Sequence, residues 1–212
     1  MIVAFDLDDT LYHEMDYVRS AYKAIAHIYG THLLPLMMKA PSPAKAFDLT
    51  GVEIDKLLKI YRTHEPDISL SVAAIYTLVT LLKKGHTLAL ITDGRTVTQE
   101  HKIKALGLDR LINDDMIYIS EKFGEEKISG GAMKDIMRKY PNERYVYVGD
   151  NPAKDFVRGN EMGWETICLK ATSDNIFQQN FCDFEDAFLP KYFIYNLFEL
   201  IDCVDKIDTI KI

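Results

Sequence analysis

The chain alternates between short apolar runs and segments in which apolar residues recur at helical spacing. Five runs rich in β-branched and aromatic residues have the length of strands, at residues 2–5, 88–91, 116–119, 145–148 and 166–169. Most are apolar at consecutive positions, which predicts strands covered on both faces. Helical spacing follows over residues 97–106, 132–140 and 153–162, each stretch ending at Gly or Pro. This alternation predicts an α/β fold with a Rossmann-like, doubly wound parallel sheet.

Residues 12–84 interrupt the alternation, because they contain helical patterns and no strand pattern. The helical stretches cover residues 16–29, 53–64 and 72–83. We therefore predict an α/β core made of residues 1–13 and 84–212 and a small all-helical cap domain made of residues 14–83. Such an insert lies above the carboxyl edge of the sheet, where open α/β folds bind ligands.

In the carboxy-terminal region, residues 184–212, the apolar pattern predicts one packing helix. Its apolar side chains recur at helical spacing, at Tyr192, Phe193, Leu197, Leu200 and Ile201. No known motif constrains this region, so we expect it to contribute packing rather than chemistry.

Composition excludes several function classes. Hydrophobic residues make up 48% and charged residues 27% of the 212 residues, as in an ordinary soluble globular protein. A net charge of −7 argues against a nucleic-acid surface but leaves room for a small anionic substrate beside a local cation. Cys168, Cys182 and Cys203 are too scattered for a disulfide framework or a zinc site. No apolar run spans a bilayer and no signal region precedes the first strand, so we expect a cytoplasmic protein without membrane contact.

The first strand ends in a cluster of acids, Asp6, Asp8 and Asp9, followed by Thr10. Alternation in an extended chain places Asp6 and Asp8 on the same side. Clustered carboxylates repel one another and lose hydration unless a cation or a proton compensates them. The segment therefore predicts a paired-acid, metal-dependent site, although a solvated Asp-rich turn has the same local pattern. We expect Asp9 to be a solvated turn residue.

Polar residues also follow the later strands. The second strand is followed by Thr92, Asp93 and Gly94, and the fourth by Asp150 and, five positions on, Asp155. A lysine, Lys127, follows the third strand. Because parallel strands end at one edge of a sheet, these groups are expected to converge there.

In this order the motifs resemble those of the haloacid dehalogenase-like superfamily of phosphohydrolases, in the branch with a helical cap inserted after the first core strand. The motifs are Asp6-Leu7-Asp8-Asp9-Thr10, Thr92, Lys127, and Gly149-Asp150 through Asp155. One departure concerns the lysine, which the family usually follows with proline and this chain follows with Ile128. Lys122 is a competing candidate, and the Phe123-Gly124 pair before Lys127 favours Lys127.

The resemblance implies a role for each residue of the first and fourth motifs. Asp6 is expected to be the nucleophile that forms an aspartyl-phosphate, and Asp8 the general acid and then the general base. Mg²⁺ is expected to bind the Asp6 carboxylate, the Asp8 backbone carbonyl and Asp150. Asp155 is expected either to orient metal-bound water or to bind the metal directly. Thr10 is expected to order the turn.

The remaining implied roles concern the substrate. Thr92 and Lys127 are expected to hold the phosphoryl oxygens, with support from Asp93 and Gly94. Tyr17 and Arg19 lie where cap-bearing relatives meet the leaving group, so they are candidate specificity residues; a surface ion pair explains Arg19 equally well.

The sequence thus predicts a monomeric, Mg²⁺-dependent phosphatase of a small phosphorylated metabolite, such as a sugar phosphate or a nucleotide. Dehalogenating relatives lack an acid at the position of Asp8, which argues against dehalogenation. A phosphomutase with the same site is the first alternative. A non-catalytic relative that binds a phosphorylated ligand is the second.

Overall fold

A computed structural model describes residues 1–209, and its sheet consists there of six parallel strands. The strands are β1 (Ile2–Phe5), β2 (Thr87–Thr92), β3 (Ile117–Ile119), β4 (Tyr145–Gly149), β5 (Glu165–Leu169) and β6 (Tyr192–Ile194), in the spatial order β3-β2-β1-β4-β5-β6. The helices of the same residues are α1 (Glu14–Tyr29), α2 (Leu33–Met38), α3 (Pro43–Asp48), α4 (Ile54–Thr63), α5 (Val72–Lys83), α6 (Thr96–Ala105), α7 (Ser120–Phe123), α8 (Gly131–Lys139), α9 (Val157–Glu161) and α10 (Phe198–Thr209).

Strand β1 lies at the centre of the sheet and is buried along its whole length. Ile2 pairs in register with Thr87 of β2 and Tyr145 of β4. All four β1 residues are buried, because the helices that connect parallel strands cover both faces. The predicted α/β fold with a doubly wound parallel sheet is confirmed.

The helices contribute to two separate apolar clusters. Helices α1 to α4 bury their own cluster, made of Val18, Tyr22, Ile25, Ala26, Leu33, Met37, Ala46, Phe47 and Leu57. Helix α5 instead buries Ala74, Leu78 and Leu81 in the cluster that contains the sheet. Thr77 Oγ1 also donates a hydrogen bond to the Leu197 carbonyl, at 2.8 Å. Helix α5 therefore packs with the sheet layer, whereas the predicted cap domain of residues 14–83 included it.

The prediction of a single carboxy-terminal helix is wrong at its beginning. Tyr192 and Phe193 belong to β6, which pairs with β5 through Tyr192 opposite Ile167. Their aromatic side chains suit a strand at the sheet edge, and the helix begins only at Phe198. Residues 210–212, which the prediction included, lie outside the described residues.

Helix α9 is shorter than the predicted stretch over residues 153–162, because it begins at Val157. The Asp155 carboxylate accepts hydrogen bonds from the backbone N–H groups of Asp150 and Asn151, at 3.1 Å and 2.8 Å. These bonds fold the chain after β4 into a turn instead of a first helical turn. Within residues 1–209, no helix has the combination of length and hydropathy needed to cross a membrane.

Candidate active site

A cavity of about 150 Å³ lies at the carboxyl ends of β1, β2 and β4. Most of the residues predicted from the motifs line it. The lining consists of Asp6, Asp8, Asp9, Glu14, Thr92, Asp93, Lys127, Asp150, Asn151, Lys154 and Phe177.

Asp6 lies at the floor of this cavity against a buried lysine. Lys127 Nζ is 2.9 Å from Asp6 Oδ1 and 2.8 Å from Asp155 Oδ1. Burial, opposed by Lys127 and reinforced by Asp155, raises the pKa of Asp6 to about 7. Burial alone would lower the pKa of Lys127, but Asp155 and Asp6 raise it well above its usual value, so the lysine stays charged.

Asp150 completes a group of three buried acids. One carboxylate oxygen from each of Asp6, Asp150 and Asp155 lies within 4.8 Å of the other two. Burial, with Asp6 as the next largest cause, raises the pKa of Asp150 to about 9. Thr10 Oγ1 donates a hydrogen bond to Asp150 Oδ1, at 3.3 Å, so this threonine reaches the site as well as the turn. Lys127 alone leaves the group short of positive charge, which is the condition that a bound divalent cation relieves.

Asp155 differs from the other two acids because its oxygens already have partners. Oδ2 accepts the N–H groups of Asp150 and Asn151, and Oδ1 accepts bonds from Lys127 Nζ and, at 3.3 Å, from the Tyr147 hydroxyl. With its acceptor positions used in this way, Asp155 holds the loop and the lysine in place.

Asp8 is held by a different set of donors. Lys102 Nζ lies 2.7 Å from Asp8 Oδ1, Gln99 Nε2 donates to Oδ2 at 3.1 Å, and the Tyr12 hydroxyl donates to Oδ1. Burial favours the protonated form of Asp8, but Lys102 and the hydrogen bonds outweigh it and hold the pKa of Asp8 below its usual value. Asp8 is therefore a carboxylate in the resting site.

Lys102 and Gln99 were not predicted to be site residues, because in the sequence they resemble solvent-facing residues of a polar helix. Both lie on α6 with 3% and 1% of their surface exposed, respectively. Lys102 Nζ also lies 4.5 Å from the centre of the Tyr17 ring. Their spacing of three residues puts them on one face of α6. Most residues of α6 are polar, so nothing in its local sequence distinguishes these two positions from exposed ones.

Thr92 and the two residues after it are connected to the same network. Gln99 Nε2 donates to Thr92 Oγ1 at 2.5 Å, and Asp93 Oδ1 accepts the Lys127 N–H at 2.9 Å. The Gly94 N–H donates to Ser120 Oγ at 2.9 Å. Gly94 has a φ of 152°, and a Cβ there would lie 3.1 Å from the Gln99 side chain, so both conformation and space favour glycine.

The prediction that Asp9 is solvated is wrong. Asp9 is 6% exposed and has a positive φ of 55°. Its Oδ1 accepts the Glu14 N–H at 2.9 Å, and its Oδ2 accepts the Ile176 N–H at 2.8 Å. Two backbone donors replace the lost water, which explains why an acid is buried here. Asp9 thereby connects the first motif to the start of α1 and to the loop that carries Phe177.

The two lysine candidates are separated clearly by position. Lys127 is buried against Asp6, whereas Lys122 is exposed and pairs with Glu100 at 2.8 Å. Of the two candidates, the lysine that contacts Asp6 is therefore Lys127.

Tyr17 and Arg19 do not line the cavity that contains Asp6. Tyr17 is buried, donates to the Tyr61 carbonyl and lies beneath the Lys102 ammonium group. Arg19 pairs with Asp16 at 3.0 Å and lines a separate cleft formed by α1, α2 and the segment before α5. A role for Tyr17 in specificity would have to act through Lys102.

Comparison with known families and proteins adds an independent line of evidence. The family described as haloacid dehalogenase-like hydrolase matches residues 3–169. A glyceraldehyde 3-phosphate phosphatase of Methanocaldococcus jannaschii is 28% identical, covering 97% of each chain. The enzyme of the same name from Methanothermobacter thermautotrophicus is 24% identical, covering 80% of this chain and 85% of its own.

Solved structures share the whole fold. A magnesium-bound HAD hydrolase from Bacillus subtilis has a TM-score of 0.68 at 20% identity, covering 96% of this chain and 98% of its own. A HAD phosphatase from Thermococcus onnurineus has a TM-score of 0.62 at 18% identity, covering 96% and 97%. At these identities the structural likeness establishes the fold.

Proposed function

Because this chain belongs to the haloacid dehalogenase-like hydrolases and is a phosphatase of that family, we propose that it hydrolyses a small phosphorylated sugar through an aspartyl-phosphate, with Mg²⁺. The observation that carries the proposal is the pair Asp6 and Asp8, two residues apart with opposite surroundings, beside Lys127 and Asp150. The curated relatives named glyceraldehyde 3-phosphate phosphatases support a three-carbon sugar phosphate as substrate.

Asp6 is the proposed nucleophile. One of its oxygens forms a bond to phosphorus while the bond from phosphorus to the sugar oxygen breaks. Lys127 lies 2.9 Å from Asp6 Oδ1, where its ammonium group can also hold a phosphoryl oxygen. Thr92, which is 1% exposed, is the second proposed phosphoryl contact.

Asp8 is the proposed acid and base. It gives a proton to the departing sugar oxygen, and afterwards takes a proton from the water that attacks the aspartyl-phosphate. Lys102 keeps Asp8 ionised, which is the protonation state that the base role requires. For the acid role, Asp8 must first take up a proton as the substrate binds. The helices of the proposed cap, α1 to α4, would exclude bulk water during these steps.

The residues fit a divalent cation that prefers oxygen ligands. Asp6 and Asp150 are the proposed carboxylate ligands, with the Asp8 backbone carbonyl as the third protein ligand. Asp155 is proposed to position this set, because its own oxygens are occupied. When bound, the cation supplies positive charge to the attacking carboxylate and the phosphoryl group.

The test is phosphate release from glyceraldehyde 3-phosphate by the purified protein. We expect release with Mg²⁺, loss with excess EDTA, and recovery when Mg²⁺ is added back. Undiminished activity after complete metal removal would contradict the metal requirement. Phosphate that moves within the substrate without release would identify a phosphomutase, and the absence of turnover across phosphorylated metabolites would support the non-catalytic alternative.

A further inference from the structure

Glu14, the first residue of α1, lines the cavity that contains Asp6 and Asp8 but has no part in the mechanism above. Its backbone is anchored, because its N–H donates to Asp9 Oδ1 at 2.9 Å. Across residues 1–209, no group hydrogen-bonds or ion-pairs with its carboxylate. A partly buried acid that faces a ligand cavity without a partner has acceptor capacity to offer to a ligand.

The charged groups around Glu14 are already engaged. Lys102, the cation that influences its carboxylate most, is bonded to Asp8, and Asp9 is bonded to two backbone amides. Burial, followed by the charge of Asp8, raises the pKa of Glu14 to about 7. Glu14 therefore lacks the compensating cation that would make it a structural ion pair.

The side chains that line the cavity are mostly acidic, which also affects the kind of leaving group that fits there. Six of the lining residues are acids (Asp6, Asp8, Asp9, Glu14, Asp93 and Asp150), and two are lysines (Lys127 and Lys154). Lys127 and the proposed cation lie with Asp6, where the phosphoryl group reacts. The leaving group must lie within reach of Asp8, which protonates it, so its remaining atoms meet an acidic wall rather than a basic one.

We propose that Glu14 is a specificity-determining residue that selects phosphate esters with uncharged, hydroxyl-bearing leaving groups, such as small sugars and polyols. Its carboxylate accepts a hydrogen bond from a substrate hydroxyl and repels a leaving group that carries its own carboxylate. A site built to bond a hydroxyl discriminates strongly, because its polar group stays unpaired with the wrong ligand. This inference rests on the proposed phosphatase function.

The test compares glyceraldehyde 3-phosphate with 3-phosphoglycerate, which has a carboxylate where the aldehyde stands. Wild-type protein and Glu14→Gln are assayed on both with Mg²⁺. We expect the wild type to favour the aldehyde by at least about 100-fold in kcat/KM, and Glu14→Gln to reduce that ratio at least about tenfold. The change should lie mainly in KM, since Glu14 contacts the leaving group and not the reacting atoms.

Asp16→Asn is the matched control, because Asp16 lies in the same first turn of α1 but outside the cavity, paired with Arg19. It should leave the ratio within about twofold of wild type. An unchanged ratio in Glu14→Gln, with Glu14→Ala behaving alike, would overturn the specificity role. Wild-type hydrolysis of p-nitrophenyl phosphate tests the proposed phosphatase function separately, because this ester has no hydroxyl for Glu14 to bind.

Discussion

The two acids of the first motif lie two positions apart and have opposite surroundings. The Asp6 side of the site consists of Asp6, Lys127, Asp150 and Asp155, in which three carboxylates share one lysine. The Asp8 side consists of Asp8, Tyr12, Gln99 and Lys102, in which one carboxylate has three donors. As a result, the pKa of Asp6 is raised to about 7 and that of Asp8 is lowered.

The difference shows that distant residues, not the motif itself, shift the pKa values of the two acids in opposite directions. The Asp6 side has too little positive charge, so it suits a cation and an arriving phosphoryl group. The Asp8 side is neutralised without any ligand, so it suits a group whose task is to exchange protons. The residues that create this contrast are supplied by the turn after β4, the segment after α7 and helix α6.

The change that disrupts the Asp6 side most is Asp6→Asn. We expect kcat to fall at least about 1,000-fold, because an amide cannot form the aspartyl-phosphate. The thermal midpoint should not fall, since the change removes one negative charge from beside Asp150 and Asp155 while Lys127 keeps Asp155 as a partner. Steady-state phosphate release and a thermal melt check both parts. Full activity in Asp6→Asn would exclude the proposed nucleophile.

Asp8→Asn disrupts the other side and should affect the two half-reactions differently. With a sugar phosphate we expect a loss of about 100-fold or more, since the sugar oxygen leaves without a proton. With p-nitrophenyl phosphate the leaving group needs no proton, so a burst of nitrophenol should precede slow turnover. Stopped-flow absorbance measures the burst. Equal losses on both esters with no burst would show that Asp8 does not divide its role in this way.

Lys102→Met sharpens the comparison by removing the cation from the Asp8 side alone. Lys102 lowers the pKa of Asp8, so its removal should raise that pKa. The limb of the kcat/KM profile that reports ionisation of Asp8 should therefore move to higher pH, and kcat/KM at neutral pH should fall about tenfold as the carboxylate loses its orientation. A pH-rate profile measures both effects. An unchanged limb would contradict the electrostatic role of Lys102.

The smallest effect is expected from Lys122→Met, which matches Lys102→Met in chemistry but changes an exposed lysine. Lys122 pairs with Glu100 on the surface, so kcat/KM should stay within about twofold of wild type. The same assay checks it. A loss as large as that of Lys102→Met would mean that surface charge, rather than contact with Asp8, controls the rate.

Sequence patterns predicted the parts of the molecule that depend on local order. The five predicted strands match β1 to β5 within one residue at each end, because buried parallel strands form continuous apolar runs. Strand β6 was missed because Tyr192 and Phe193 also fit a helical spacing with Leu197. In a run as short as Tyr192–Ile194, the spacing of apolar residues does not distinguish a strand from a helix.

The site residues that belong to sequence motifs were predictable. The residues that reach the site only through tertiary contacts were not. Asp6, Asp8 and Asp150 follow strands whose order determines where they meet. The contact between Lys102 and Asp8 joins residues 94 positions apart, and nothing in the local sequence of α6 signals it. The burial of Asp9 likewise depends on Ile176, from a loop with no recognisable pattern.

Asp9 bears on how the substrate range of this enzyme can diverge. Its carboxylate bonds to the main-chain amides of residues 14 and 176, so the anchor does not depend on which side chains those positions carry. The segments bearing Glu14 and Phe177 can therefore accept new side chains during evolution while their backbones stay in place beside Asp6. Substitutions at these two positions need not displace the acids of the cavity, whereas loss of Asp9 would release both walls of the cavity at once.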